Sequence, residues 1–103
     1  LKKQDFVYFI QIGEGDRIFK IGTTNDIDRR MKEHKRYFKK PIKVLWVSPA
    51  YSKYTTLRVE DDTKNLWRKT TNWEYIRNDR FRIPEDVTEV RIKVRKEYVV
   101  SLV

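Results

Sequence analysis

One histidine, His34, and no cysteine leave this chain a short list of reactive side chains. That composition excludes a multi-histidine metal site and a Cys–His dyad. No P-loop or Gly-x-Gly-x-x-Gly pattern is present, and Gly13-Glu14-Gly15 reads only as a turn. What remains is tyrosine, arginine, lysine, His34 and isolated carboxylates, a set suited to phosphodiester cleavage. A carboxylate holds one divalent cation, an arginine neutralises charge building on phosphorus, and a base activates water. Arg30 and His34 stand four residues apart, and Glu60-Asp61-Asp62 is an acidic cluster in an otherwise basic chain.

Positioning these groups requires a sheet and helices, and the patterning supplies both. Phe6–Ile12 and Arg17–Ile21 are rich in β-branched and aromatic residues and read as a hairpin, with Gly13 and Gly15 offering positive φ in the turn. Phe6, Tyr8 and Ile10 share one face of the first strand, while Val7, Phe9 and Gln11 share the other. Gly22-Thr23-Thr24-Asn25 leads into a helix that Asn25 or Asp26 can cap. Ile27, Met31, His34 and Phe38 form its core stripe, with Arg30 near the edge, and Pro41 stops it. The nearly continuous apolar run Ile42–Val47 reads as a central strand. A second helix is expected from about Ser52 to Arg68, with Leu57, Glu60 and Lys64 on one face. Short strands follow at Trp73–Ile76 and Arg80–Ile83 around an Asn78-Asp79 turn. Pro84-Glu85-Asp86 looks like a helix start, yet the alternation Val90, Ile92, Val94 fits a strand equally well.

The chain has 103 residues, 24 Lys+Arg against 15 Asp+Glu, and a formal charge of +9. The length is that of one domain, well above the limit of about 40 residues for folding unaided. Aromatic residues make up 14%, which argues against a disordered basic tail. From Arg29 to Lys43 there are eight basic residues and only Glu33 to oppose them, a patch that calls for a polyanion. Trp46, Trp67 and Trp73 read as core rather than as base-stacking platforms. No apolar run approaches the roughly 18 residues of a membrane span, and the absence of cysteine fits an intracellular, reducing setting. Leu1 in place of an initiator Met suggests a piece of a longer chain.

Val7-Tyr8 in the first strand, Lys20-Ile21-Gly22 ending the second, Arg30 and His34 on the next helix and Glu60 on the following one resemble the GIY-YIG nuclease domain. The resemblance runs from about Phe6 to Asn72. It implies an α/β (α+β) fold, with a small three-stranded antiparallel sheet flanked by helices. One domain would then span 1–103, with its core at about 6–83 and a C-terminal extension at 84–103. It further implies metal-dependent hydrolysis of DNA, with Tyr8 orienting the attacking water and Arg30 stabilising the phosphorane. His34 would be a base or phosphate donor, and Glu60 the ligand of one Mg²⁺ or Mn²⁺. Lys20 stands where the second triplet has tyrosine, as in phage-type branches, and Phe6 replaces the first glycine. Gly22 would let the backbone approach the phosphate, with Arg29, Lys35, Arg36, Lys39 and Asn72 as further substrate contacts and Asn78 competing with Asn72.

Phosphate contacts alone carry little sequence information, so targeting is expected from a further DNA-binding segment or a partner. They do not sense the 2′-hydroxyl either, so RNA stays open as a substrate. The Lys20 and Phe6 departures also motivate a rival reading, a nucleic-acid-binding module of the same fold that does not cleave. A third reading is a protein-interaction domain whose charge serves solubility.

Overall fold

The computed structural model describes residues 4–102. Strands β1 (Phe6–Ile12) and β2 (Ile18–Thr24) form the expected hairpin, in register from Phe6↔Thr24 to Ile12↔Ile18. Of the two turn glycines only Gly13 takes positive φ, at 81°; the second left-handed position falls on Arg17, at 55°. Arg17 is held there by its guanidinium, which donates to the carbonyls of Ile83, Pro84 and Val87 at 2.7–3.1 Å.

Helix α1 (Ile27–Phe38) is capped by Asp26, whose side chain accepts from the Arg29 amide, and it ends at Lys39 in the left-handed region. Strand β3 (Ile42–Val47) follows, then helix α2 (Lys53–Thr70), capped by Ser52. Strands β4 (Glu74–Ile76) and β5 (Arg80–Arg82) pair around a turn in which Asn78 and Asp79 both have φ near 60°. Asn and Asp tolerate that region better than most residues, which is why the turn sits there.

The sheet order is β3-β1-β2-β5-β4, all antiparallel. The α+β class is the expected one, with the three-stranded sheet widened to five by β4 and β5. One expectation fails. Strand β3 lies at the sheet edge, not at its centre. Its continuous apolarity comes instead from a register shift opposite Phe9/Ile10, which puts Leu45 and Trp46 together on one face while Val47 meets the other. The choice left open at the C-terminal end falls to strands: Glu89–Val94 (β6) and Lys96–Ser101 (β7) form a hairpin, in keeping with the alternation of Val90, Ile92 and Val94.

Alternation along β1 and β2 divides the core into two clusters. Tyr8, Ile10 and Ile12 pack with Ile27, Met31 and Phe38 of α1. Val7, Phe9, Phe19, Ile21 and Phe81 pack with Val59 and Trp67 of α2 and with Val90, Ile92, Val100 and Leu102 of the terminal hairpin. Trp67 is buried as expected, while Trp46 and Trp73 pack half-buried against that cluster. The buried stripe of α2 is Thr56, Val59, Thr63 and Trp67, so Leu57 is exposed and Glu60 and Lys64 lie on its flank. Thr63 accepts from the Lys93 amide and Trp67 donates to the Arg91 carbonyl, which ties α2 to β6. No helix among the described residues is long and apolar enough to cross a membrane.

Candidate active site

The α1-facing side of the sheet carries the candidate residues because of the two-residue repeat. Tyr8 and Gly22 are direct cross-strand partners, so both project toward α1. A Cβ on Gly22 would stand 2.6 Å from Tyr8 Cζ and in contact with its hydroxyl. Gly22 therefore makes room for the Tyr8 ring, a role more specific than general backbone freedom. The phenol lies 2.7 Å from His34 Nε2, and both side chains are buried. Burial raises the Tyr8 hydroxyl well above its ordinary value, with Glu60 and Asp79 adding to the rise and Arg30 opposing it. Burial, helped by the charges of Lys20 and Arg30, pulls His34 down to about 4. Near neutral pH the pair is a neutral phenol against a neutral imidazole.

Arg30, four residues before His34, sits at the edge of the same stripe. Its Nε is the one buried side-chain nitrogen or oxygen among the described residues with no hydrogen-bond partner. Glu33 lies 3.8 Å away, an ion-pair distance too long for a hydrogen bond. Leaving such a donor unsatisfied costs about 1–3 kcal/mol.

Lys20 and Glu60 come from opposite sides of the sheet and converge on the β4–β5 turn. The Lys20 ammonium donates to the Asn78 carbonyl at 2.6 Å; burial pushes its pKa down, against the charges of Asp79 and Glu60. Lys64 donates to Asp79 Oδ1 at 2.9 Å and stands 3.8 Å from Glu60. Burial raises the Glu60 carboxyl, and Asp79 adds to the rise while Lys64 and Lys20 oppose it. Glu60 is thus linked through Lys64 to the same turn that holds the Lys20 ammonium. Arg80, the cross-strand partner of Lys20, lays its guanidinium 5.1 Å over the Phe38 ring.

The structure therefore brings Tyr8, Gly22 and His34 into contact, sets Arg30 one helical turn before His34, and links Lys20 and Glu60 at the β4–β5 turn. Arg29, Lys35, Arg36 and Lys39 are exposed on the side of α1 turned away from the sheet. Arg29 is partly engaged there, with Asn25 at 2.9 Å and Glu33 at 3.7 Å. Asn72 is exposed between α2 and β4, and no hydrogen bond or ion pair of the described residues joins it to the site. Asn78 reaches the site through its main chain. Lys64, Asp79 and Arg80 were not anticipated. Lys64 carried a signal, its spacing of four from Glu60, but Asp79 and Arg80 depend on how β5 docks beside β2.

A family model described as the T5orf172 domain matches residues 5–98. No curated protein matches the chain, and no solved structure does.

Proposed function

The chain belongs to the T5orf172 domain family, and from that footing we propose that it is a metal-dependent endonuclease domain that hydrolyses DNA phosphodiesters through a GIY-YIG-type site. The match supports a nucleic-acid-related role. The observation that carries the finer reading is the unpartnered Arg30 Nε beside the Tyr8–His34 pair. A phosphate oxygen can meet the exposed part of the Arg30 guanidinium, whose side chain is 38% exposed, and this brings phosphorus to the α1 side of the sheet, where the phenol lies.

In this reading Tyr8 donates its hydroxyl proton to His34 Nε2, which leaves its oxygen lone pairs to receive a proton from the attacking water. Water oxygen bonds to phosphorus, the bond to the leaving oxygen breaks, the proton shed by the water comes to rest on His34, and the leaving oxygen takes up a proton from solvent. Burial above all, with the charges of Lys20 and Arg30 adding to it, makes His34 a poor proton acceptor in the free protein. A bound phosphate offsets the two charges though not the burial, so part of its basicity returns when substrate is present. Arg30 meanwhile stabilises the negative charge that grows on the phosphoryl oxygens.

Glu60 is the residue that would hold a divalent cation. Among the described residues no three His, Cys, Asp or Glu side chains cluster around a common point. A single shielded carboxylate fits Mg²⁺ or Mn²⁺ with water and substrate oxygens as the other ligands, as is usual for Mg²⁺ at phosphate sites. Such an ion would polarise the phosphate and lower the barrier to in-line attack.

Plasmid nicking with Mg²⁺ tests the reading. Arg30→Ala and Glu60→Ala are expected to reduce cleavage by about a hundredfold or more, the scale of losing one charge-stabilising group. Retention of parental cleavage by both variants would sink the site assignment. Salt-sensitive DNA binding with no metal-stimulated cleavage would instead favour the binding module.

A further inference from the structure

We infer that the cleft between the β6–β7 hairpin, the end of β3 and the first turns of α2 binds single-stranded DNA. The inference rests on the reading of the chain as nucleic-acid-acting and adds a second surface to it. Two cavities of about 710 and 670 Å³ meet here, and Tyr51, Val94 and Arg95 line both, so they form one continuous groove. Its walls combine rings with cations. Tyr98 stands against Trp46 at 5.9 Å and 40° and remains 56% exposed; Tyr54 is 71% exposed, its hydroxyl held by Arg58 at 3.2 Å. Arg58, Lys93, Arg95 and Lys96 line the groove against one acid, Asp62.

Braced, solvent-facing rings flanked by cations match the chemistry of an unpaired polynucleotide, whose bases stack while its phosphates meet the charges. A duplex hides its base faces and cannot use the rings. Arg95, at the junction, is held at φ 52°, a conformation that glycine or asparagine adopts with less strain. Its position there gives the groove a cation at the point where the two cavities join. Helical spacing puts Glu60 and Lys64 on one flank of α2's buried stripe, and Thr55 and Asp62 of the groove on the other. A strand in the groove therefore leaves the Glu60 side open, so one molecule can hold the unpaired arm of a branched or melted substrate while the active site faces the duplex.

The test is fluorescence anisotropy with a labelled oligothymidine of about 12 nucleotides, within the range of known single-strand sites, and with a duplex of similar length. Tyr54→Ala combined with Tyr98→Ala should weaken oligothymidine binding about tenfold or more and leave duplex binding unchanged. The corresponding Phe pair should bind like the parent, because the rings persist. Lys93→Ala and Lys96→Ala should each make the salt dependence of single-strand binding shallower by about 0.7. The inference fails if the Ala pair binds oligothymidine like the parent, or if single-strand and duplex binding fall together. It also fails if the Ala pair abolishes self-association in sedimentation without affecting DNA binding, since a second copy would then be the occupant. Nicking by the Ala pair at the parental rate separates the two readings. Intact cleavage with ring-independent binding overturns only the groove, and ring-dependent binding without any cleavage overturns only the nuclease.

Discussion

Tyr8, Gly22 and His34 form one packing unit, and its tightness makes the chemistry sensitive to single atoms. Gly22→Ala must push the Tyr8 ring away from His34, because the new methyl would lie 2.6 Å from Cζ. Overpacking of this kind costs about 1–3 kcal/mol. We expect Gly22→Ala to lower the unfolding free energy in urea by that amount and to lose cleavage, whereas Gly15→Ala, with nothing within 4 Å of its added Cβ, should change neither. His34 gives a second prediction, in pH. Its folded pKa, about 4, lies below the ordinary histidine value of 6.5. Between those values the unfolded chain binds the extra proton, so the stability linked to neutral His34 is complete above pH 6.5 and is lost as pH falls through 4. The 2.5-unit gap corresponds to roughly 3 kcal/mol at about 1.4 kcal/mol per unit. Urea melts of His34→Gln should show a flatter stability profile than the parent between pH 7 and 4; parallel profiles would contradict the buried neutral imidazole.

At the level of elements, the β4–β5 turn is the joint between the two sides of the sheet. Lys20 reaches it from β2 and Lys64 from α2, and the Asp79 carbonyl accepts from the Ile21 amide at 3.4 Å. Lys64 carries the connection from α2, since its ammonium lies between Glu60 and Asp79 with only 13% of the side chain exposed. Lys64→Met leaves two carboxylates facing each other with no cation between them. Removing a charged hydrogen-bond partner at such a site should destabilise by about 1–3 kcal/mol. Amide exchange at Asn78–Arg80 should accelerate more than in the β1–β2 hairpin, and uniform acceleration would mean that Lys64 does not anchor the turn. The turn itself was readable from Asn78-Asp79, and the Glu60–Lys64 spacing from the helix repeat. That the two meet was not, because it requires β5 to pair with β2 from Ile18↔Arg82 to Lys20↔Arg80.

Across the whole molecule the terminal hairpin is part of the core that supports the site. Val90, Ile92, Val100 and Leu102 are buried with Phe9, Phe19 and Trp67, and at about 1.5–3 kcal/mol each they represent roughly 6–12 kcal/mol of burial. That is comparable to the entire stability of a typical domain, about 5–15 kcal/mol. Truncation after Pro84 also deprives Trp67 Nε1 of the Arg91 carbonyl. The shortened chain should therefore show no cooperative melt by circular dichroism; a parental transition would make the hairpin dispensable. The sequence by itself determined the β1–β2 hairpin, both helices and which residues share a face of each, while strand register and the choice of Asp26 and Ser52 as caps came from the structure. The hairpin, the helices and the shared faces follow from local periods of two and 3.6, which nearby residues specify. Tertiary structure alone decided that β3 is an edge strand, that the chain ends in a hairpin, and that Lys64, Asp79 and Arg80 join the site. Each of these depends on contacts between residues far apart in the chain, where the same local pattern serves an edge strand or a central one. The Arg29–Lys43 charge shows the same division: its basic residues were countable in sequence, yet only docking of α1 separates Arg30, at the site, from Arg29, Lys35, Arg36 and Lys39 on the outer face.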